Sequence, residues 1–482
     1  MIVDRTPTLA VETPAGRIVG LQRTGCAVFL GIPYAAPPVG ALRFKPPQEV
    51  PPSHGAIDAT AEGLSPPQVR RNQAPWAPRR TPIITGEDCL NLNVFTPAAD
   101  AAGRPVIVHV FGGGFEGGSA NGGYQDNEGF ATINDLVLVR VNFRVGVLGF
   151  LDLSTVMDDP AYTANAGVLD LTAALRWVRA NIAAFGGDPG NVTLMGLSSG
   201  AFMIASLFGI PAAAGLFRRV WLMSGSASRV ITKQTADAMA RSFLEHAGVA
   251  AGDAAALSAL PIETVLEVQQ AIIETDLGIR NAPGGHTLSV VADGRVLTRH
   301  PLDALKAGAG NGIEMVAGWT RDEAHLWYAM GVMKPPADRA SLLRTVARFH
   351  GAEAGEVLAG FEARMPGASL AAIEERFLSE TIYRNPARAT AAAQVAAGGT
   401  AWTYEFAWAP ATEGGVLGAS HGFDEPFVFG NVEADRIPYA AGSPRAQPLA
   451  AEMSAALRQF VRGSGMPWPQ ARGTHDDFRI FS

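Results

Sequence analysis

The chain reads as an α/β protein, a central and mostly parallel sheet with helices packed against it. Three observations predict this. Short apolar runs alternate with helical patterns along the 482 residues, and no low-complexity linker or internal repeat interrupts them. The third is an apolar run, Val192-Thr-Leu-Met195, that leads straight into Gly196-Leu197-Ser198-Ser199-Gly200 and then into a second apolar pattern.

The strands come first. Val106 to Phe111, Leu136 to Asn142, Val192 to Met195, Val220 to Met223, Ile313 to Ala317 and Ala401 to Phe406 are short and apolar throughout. Strands covered by helices on both faces have this composition, whereas half-solvated strands alternate. Between them, Asp170 to Phe185 places Leu171, Ala174, Leu175, Val178 and Ile182 three and four apart, one stripe for packing on a sheet. Ala201 to Phe208 continues as a buried helix. Residues 232–276 and 335–396 are rich in Ala, Glu, Arg and Leu and carry no strand signal. They are expected to be helical cap insertions over a single domain spanning 1–482, where a substrate pocket can form.

Composition narrows the partners. At 48% hydrophobic and 17% charged, the chain can bury a large core, and a net charge of -7 with scattered arginines offers no basic field to nucleic acid. No stretch approaches the roughly 18 to 20 apolar residues of a membrane helix. The first residues also lack a basic region followed by an apolar one. With only Cys26 and Cys89, no disulfide framework exists. The expectation is a cytoplasmic protein with two buried thiols.

The chemistry centres on serine. In G-x-S-x-G after a strand, the serine sits on a strained strand-to-helix turn that presents Oγ outward, and glycines flank it because a Cβ would collide with neighbouring backbone. A second cluster, Phe111-Gly112-Gly113-Gly114-Phe115-Glu116-Gly117-Gly118-Ser119, also follows a strand. Its G-x-G-x-x-G spacing would suit a dinucleotide, but that reading needs a helix next and an acid closing the following strand. Ser119 to Gly129 is too glycine-rich for a helix, and Asp135 precedes the next strand. The remaining reading is a loop whose backbone N–H groups point at a developing oxyanion.

A serine elbow needs a base and an acid, in the order serine, acid, histidine. His54, His286, His300 and His475 lie in polar or Pro/Gly-rich surroundings, His246 and His350 end helical patterns, and His109 lies inside a core strand. His421 differs, following the loop Glu413 to Ser420 beyond the strand at Ala401 to Phe406. For the acid, Glu323 in Gly318-Trp-Thr-Arg-Asp-Glu-Ala324 follows the strand Ile313 to Ala317, with Asp322 its rival.

These residues resemble the type-B carboxylesterases, the carboxylesterase and cholinesterase family of the α/β-hydrolase fold, in a bacterial form and over nearly the whole chain. Gly31 to Phe44, Glu87 to Val94, Asn142 to Phe150, Phe185 to Gly200 and His421 to Gly430 match its motifs in order. The resemblance implies Ser198 as nucleophile, Glu323 as acid and His421 as general base. It implies Gly113, Gly114 and Ser199 as oxyanion donors, ion pairs Arg43 with Glu87 and Arg144 with Asp170, and an auxiliary place for Ser224 behind the triad. Such chemistry calls for no metal or organic cofactor.

Departures are informative too. Leu197 stands where the family usually has glutamate, which weakens electrostatic support for His421 in its protonated form. Phe111 replaces a polar residue before the glycine loop. Cys89 matches a disulfide position whose partner would fall in Gly63 to Gln68, where no cysteine stands. The implied activity is hydrolysis of small to medium, largely apolar esters. Carbamates or activated amides are an alternative with the same triad, and a non-catalytic binding module is a third reading. Oligomeric state is open.

Overall fold

The computed structural model describes residues 8–50, 55–69, 74–274, 276–473 and 477–482; His54 and His475 lie outside them. Twelve strands form one sheet: β1 (Thr8–Thr13), β2 (Gly16–Arg23), β3 (Cys26–Pro33), β4 (Ile57–Asp58), β5 (Asn91–Thr96), β6 (Arg104–Val110), β7 (Val137–Val141), β8 (Gly187–Leu197), β9 (Arg219–Met223), and then β12 (Glu314–Thr320), β13 (Thr400–Phe406) and β14 (Arg479–Phe481). Two short strands, β10 (Val230–Thr232) and β11 (Val290–Ala292), pair separately.

The sheet runs β1-β2-β3-β5-β7-β6-β8-β9-β12-β13-β14, with β4 beside β2. From β7 to β14 the neighbours are parallel; β1, β2, β3 and β5 join them antiparallel. All six expected strands are present, with ends moved by a few residues. The antiparallel edge was not anticipated, because β1 is half-exposed and alternating and β5 carries buried asparagines among its apolar residues.

Alternate residues of the central strands face two cores. Val106, Val108 and Val110 point to one, with the helices Ala166–Asn181 and Ser199–Ser206; Ile107, Leu138 and Met195 point to the other, with the helix Ala446–Val461. Each such apolar side chain, once buried, contributes roughly 1.5 to 3 kcal/mol, so the sheet is fixed from both faces. The helix read as Asp170 to Phe185 starts earlier, at Ala166, and its last four residues tighten into a 3-10 turn, Ile182–Phe185. One helix was missed. Asn127–Asn134 begins inside the stretch read as too glycine-rich, started by Asp126, whose carboxylate accepts from Gly129 N at 3.1 Å.

Both expected ion pairs form. Arg43 meets Glu87 through Nε and Nη2, and Arg144 meets Asp170 through Nε at 2.8 Å and Nη2 at 2.6 Å. Arg144 and Asp170 are fully buried, so removing one partner would strand a charge. Segments 232–276 and 335–396 are helical, with Lys233–Ala247, Ala254–Ala259 and Ile262–Ile272 in the first. The second holds Arg339–His350, Ala354–Arg364, Leu370–Leu378, a π-helical turn Ser379–Arg384 and Asn385–Ala396. Among the described residues no helix is long and apolar enough to cross a membrane.

Candidate active site

Strand order decides where the site lies. β6 is flanked by β7 on one side and β8 on the other, so the chain leaves their carboxyl ends in opposite directions and a crevice opens there. The glycine loop leaves β6 and the serine turn leaves β8, with Val110 and Gly196 in register.

Ser198 has φ 55 and ψ -123, a conformation unfavourable for a side chain with a Cβ. The surroundings enforce it. Ser198 N donates to Met223 O of β9 at 2.8 Å, while Phe202 N donates back to Ser198 O as the helix begins. A Cβ at Gly200 would stand 2.2 Å from Val110 O, so only glycine lets that helix approach β6. Gly113, at φ +146, is likewise confined, because a Cβ would stand 2.1 Å from Gly117 O. Among the described residues the N–H groups of Gly113 and Gly114 donate no hydrogen bond, and Ser199 N opens its helix. Three unspent donors therefore lie around the serine turn. Phe111 stacks on Phe143 at 4.2 Å and underpins this loop with packing alone.

Glu323 and His421 arrive from the ends of β12 and β13. The structure brings them together: His421 Nδ1 lies 2.5 Å from Glu323 Oε2, and Glu323, fully buried, accepts Thr320 N at 2.8 Å on its other oxygen. Asp322 does different work, its Oδ2 accepting from Ala419 N at 2.9 Å and its N–H donating to Ala419 O, which holds the loop before His421. A Cβ on Gly422 would be 3.2 Å from Leu197, so the His421 segment packs on the residue preceding Ser198. Among the described residues no hydrogen bond joins Ser198 Oγ to His421; such contacts often tighten only with substrate bound. Ser224 is fully buried at φ 50, and its Oγ has no hydrogen-bond partner among the described residues, so it is not bonded to Glu323.

The segment after His421 is anchored three times. Tyr404 donates to Asp424 at 2.6 Å, His109 Nε2 meets Glu425 at 3.0 Å with Tyr124 on the other oxygen, and Asn431 accepts from Asp126 N at 2.8 Å. His109 is thus a brace, as its place in a core strand implied. Sequence reasoning missed other neighbours. Trp327 and Tyr383 flank the His421 ring at 4.8 and 4.9 Å between centroids, and His325 pairs with Glu375 at 2.8 Å, a contact that raises its pKa. Tyr383 falls in the expected cap segment 335–396 and Trp327 just before it, and no motif in the sequence marked either. A cavity of about 720 Å³ opens among the second set of cap helices, lined by His350, Arg364 and Arg384, but not by Ser198, Glu323 or His421.

Asp424 offers a test of this polar layer. Burial, with Glu323 adding to it, pushes its carboxyl up to about 7, and its Oδ1 has no partner among the described residues. The unfolded value lies near 4, so between about pH 4 and 7 the folded state holds the extra proton and stability falls as pH rises through that window. Asp424→Asn should remove this dependence. Its unfolding free energy relative to the native protein should improve from about pH 5 to pH 8, by a swing on the order of a few kcal/mol; a pH-independent difference in denaturant titrations would assign the effect elsewhere.

Comparison with known proteins agrees with this architecture. The family model described as the carboxylesterase family matches residues 7–476. The para-nitrobenzyl esterase of Bacillus subtilis (strain 168) is 33% identical over 470 residues, 96% of this chain and 91% of that protein. The phenmedipham hydrolase of Pseudarthrobacter oxydans is 34% identical, covering 88% of this chain and 83% of its own. Among solved structures, the carboxylesterase EST55 of Geobacillus stearothermophilus superposes with a TM-score of 0.84 at 34% identity, over 99% of this chain and 96% of that one. With the sheet, the loop order and these likenesses in agreement, the chain belongs to the carboxylesterase family, as a carboxylic ester hydrolase of the α/β-hydrolase fold.

Proposed function

We propose that Ser198 is the nucleophile, His421 the general base and Glu323 the acid that orients it, with Gly113, Gly114 and Ser199 N–H as oxyanion donors. The observation that carries this reading is the 2.5 Å contact of His421 Nδ1 with the fully buried Glu323, on a segment packed against Leu197. With Nδ1 committed, Nε2 is the ring nitrogen left to serve Ser198. It takes the Oγ proton as Oγ attacks the ester carbonyl and returns it to the leaving alcohol; water then repeats the cycle on the acyl-enzyme. Glu323 fixes the tautomer and stabilises the imidazolium.

The substrates are small to medium esters with a largely apolar body, a reading supported by the buried rings of Phe115, Phe202, Trp327 and Tyr383 around these groups. The chain is read as one domain capped by 232–276 and 335–396. The free, buried Cys26 and Cys89 support a cytoplasmic setting. A fluorophosphonate should attach to Ser198 Oγ and stop ester turnover. Labelling at another residue, with turnover lost, would move the nucleophile.

A further inference from the structure

Beyond the triad, a charge stands beside the oxyanion loop that the chemistry above does not use. Arg229 lies past the end of β9, the strand whose Met223 carbonyl receives Ser198 N. Its guanidinium sits 5.9 Å from the ring of Phe115, which directly follows Gly114, and 5.2 Å from that of Phe202, one turn beyond Ser198. Both rings are fully buried, while Arg229 itself is only half-buried. It opens to solvent from the wall of the crevice.

A second arginine lies close by. Arg280 Nη2 is 3.5 Å from where a Gly114 Cβ would stand, and it is paired with buried Glu116 of the same loop. That pair is neutral as a unit. Arg229 has no such partner: its two hydrogen bonds both leave Nη2, to Asn281 and, at 3.0 Å, to Thr287, and both acceptors are uncharged. Among the described residues no carboxylate lies within salt-bridge distance of it, and its Nε and Nη1 have no hydrogen-bond partner. Asn281 and Thr287 thus fix the guanidinium plane while leaving one edge free. Burial of its guanidinium lowers Arg229 to about 10, with Arg280 acting in the same direction and Tyr383 and Glu116 opposing, so it stays charged at neutral pH. Leu197 adds no compensating negative charge beside Ser198.

We propose that Arg229 anchors a carboxylate carried by the substrate, so that the favoured esters pair an apolar body with one ionised carboxylate near the scissile bond. This rests on Ser198 being the nucleophile. A planar guanidinium pre-oriented by neutral acceptors, with its outer edge free, suits a carboxylate better than a lysine would, and aromatic rings behind it limit competing water. Such a charge-assisted contact separates anionic from neutral esters by about 10- to 100-fold in kcat/KM.

The test compares paired substrates on the intact protein. Mono(4-nitrophenyl) glutarate against 4-nitrophenyl pentanoate puts the carboxylate on the acyl side; 4-acetoxybenzoate against its methyl ester puts it on the alcohol side. In Arg229→Met the anionic-to-neutral ratio of kcat/KM should fall about 10- to 100-fold in one of these pairs, which names the side, and Arg229→Lys should recover part of it. Added salt should lower the same ratio in the native protein. Equal losses on both members of each pair, or ratios that do not move, would overturn the proposal. If Arg229→Met does not fold, the lysine variant and the native salt dependence decide alone, and a salt-independent ratio overturns it. Neutral-ester turnover that survives Ser198→Ala would instead strike the nucleophile assignment, a separable result.

Discussion

Ser198→Ala should lower kcat for ester hydrolysis by about 10⁵- to 10⁶-fold while leaving the protein folded. The scale follows from removing the atom that forms the acyl-enzyme; what remains is the oxyanion donors and substrate binding, worth about 10³ to 10⁴ over water in comparable enzymes. Stability should hold or rise. The turn at φ 55 is unfavourable for any L residue, and alanine keeps the Cβ, so the strain is unchanged, while no hydrogen bond from Ser198 Oγ is lost. Steady-state kinetics with thermal unfolding checks both. Retained turnover in a folded variant would place the nucleophile elsewhere.

The second large effect separates two adjacent acids. Glu323→Gln should cost about 10³- to 10⁴-fold in kcat, because an amide facing Nδ1 favours the wrong tautomer and cannot stabilise the imidazolium. Asp322→Asn should cost roughly tenfold or less, since the amide oxygen can still accept Ala419 N and the loop backbone contact remains. The two variants should also differ in kind. Asp322→Asn acts through loop position and so should be relieved by a tight substrate, whereas Glu323→Gln should not. If Asp322→Asn proved the costlier, the orienting carboxylate would be misassigned.

That pair also shows where sequence reading stops. Ser198 and the glycine loop were legible because strand and turn lie next to each other in the chain and each needs glycine for a local steric reason. Glu323 and Asp322 are neighbours after the same strand, and nothing in their local sequence says which of them meets His421; the loop beyond β13 decides it, bonding Asp322 through Ala419 and Glu323 through His421. Central strands such as β6 and β8 were legible because burial on both faces leaves a plain apolar run. β1 and the three-residue β14 were not, being a half-exposed alternation and a segment too short to show a period. Arg229 and Asp424 illustrate the remainder. Their significance lies in what surrounds them, Phe115 and Asn281 for one, Tyr404 and Glu323 for the other, and those neighbours are far away in sequence.

Tyr383 stands in the π-helical turn Ser379–Arg384, between two α-helices of the second cap segment, and its ring lies on that of His421. A π turn takes one residue more than the α-helical turn it replaces, so winding the same residues as continuous α-helix would rotate everything beyond it by about 100°. Exchanging this segment between relatives therefore amounts to more than reshaping a substrate wall. A graft that fails to keep the turn also swings the aromatic face off the imidazole, so cap transplants in this protein are constrained by helical phase as much as by pocket shape.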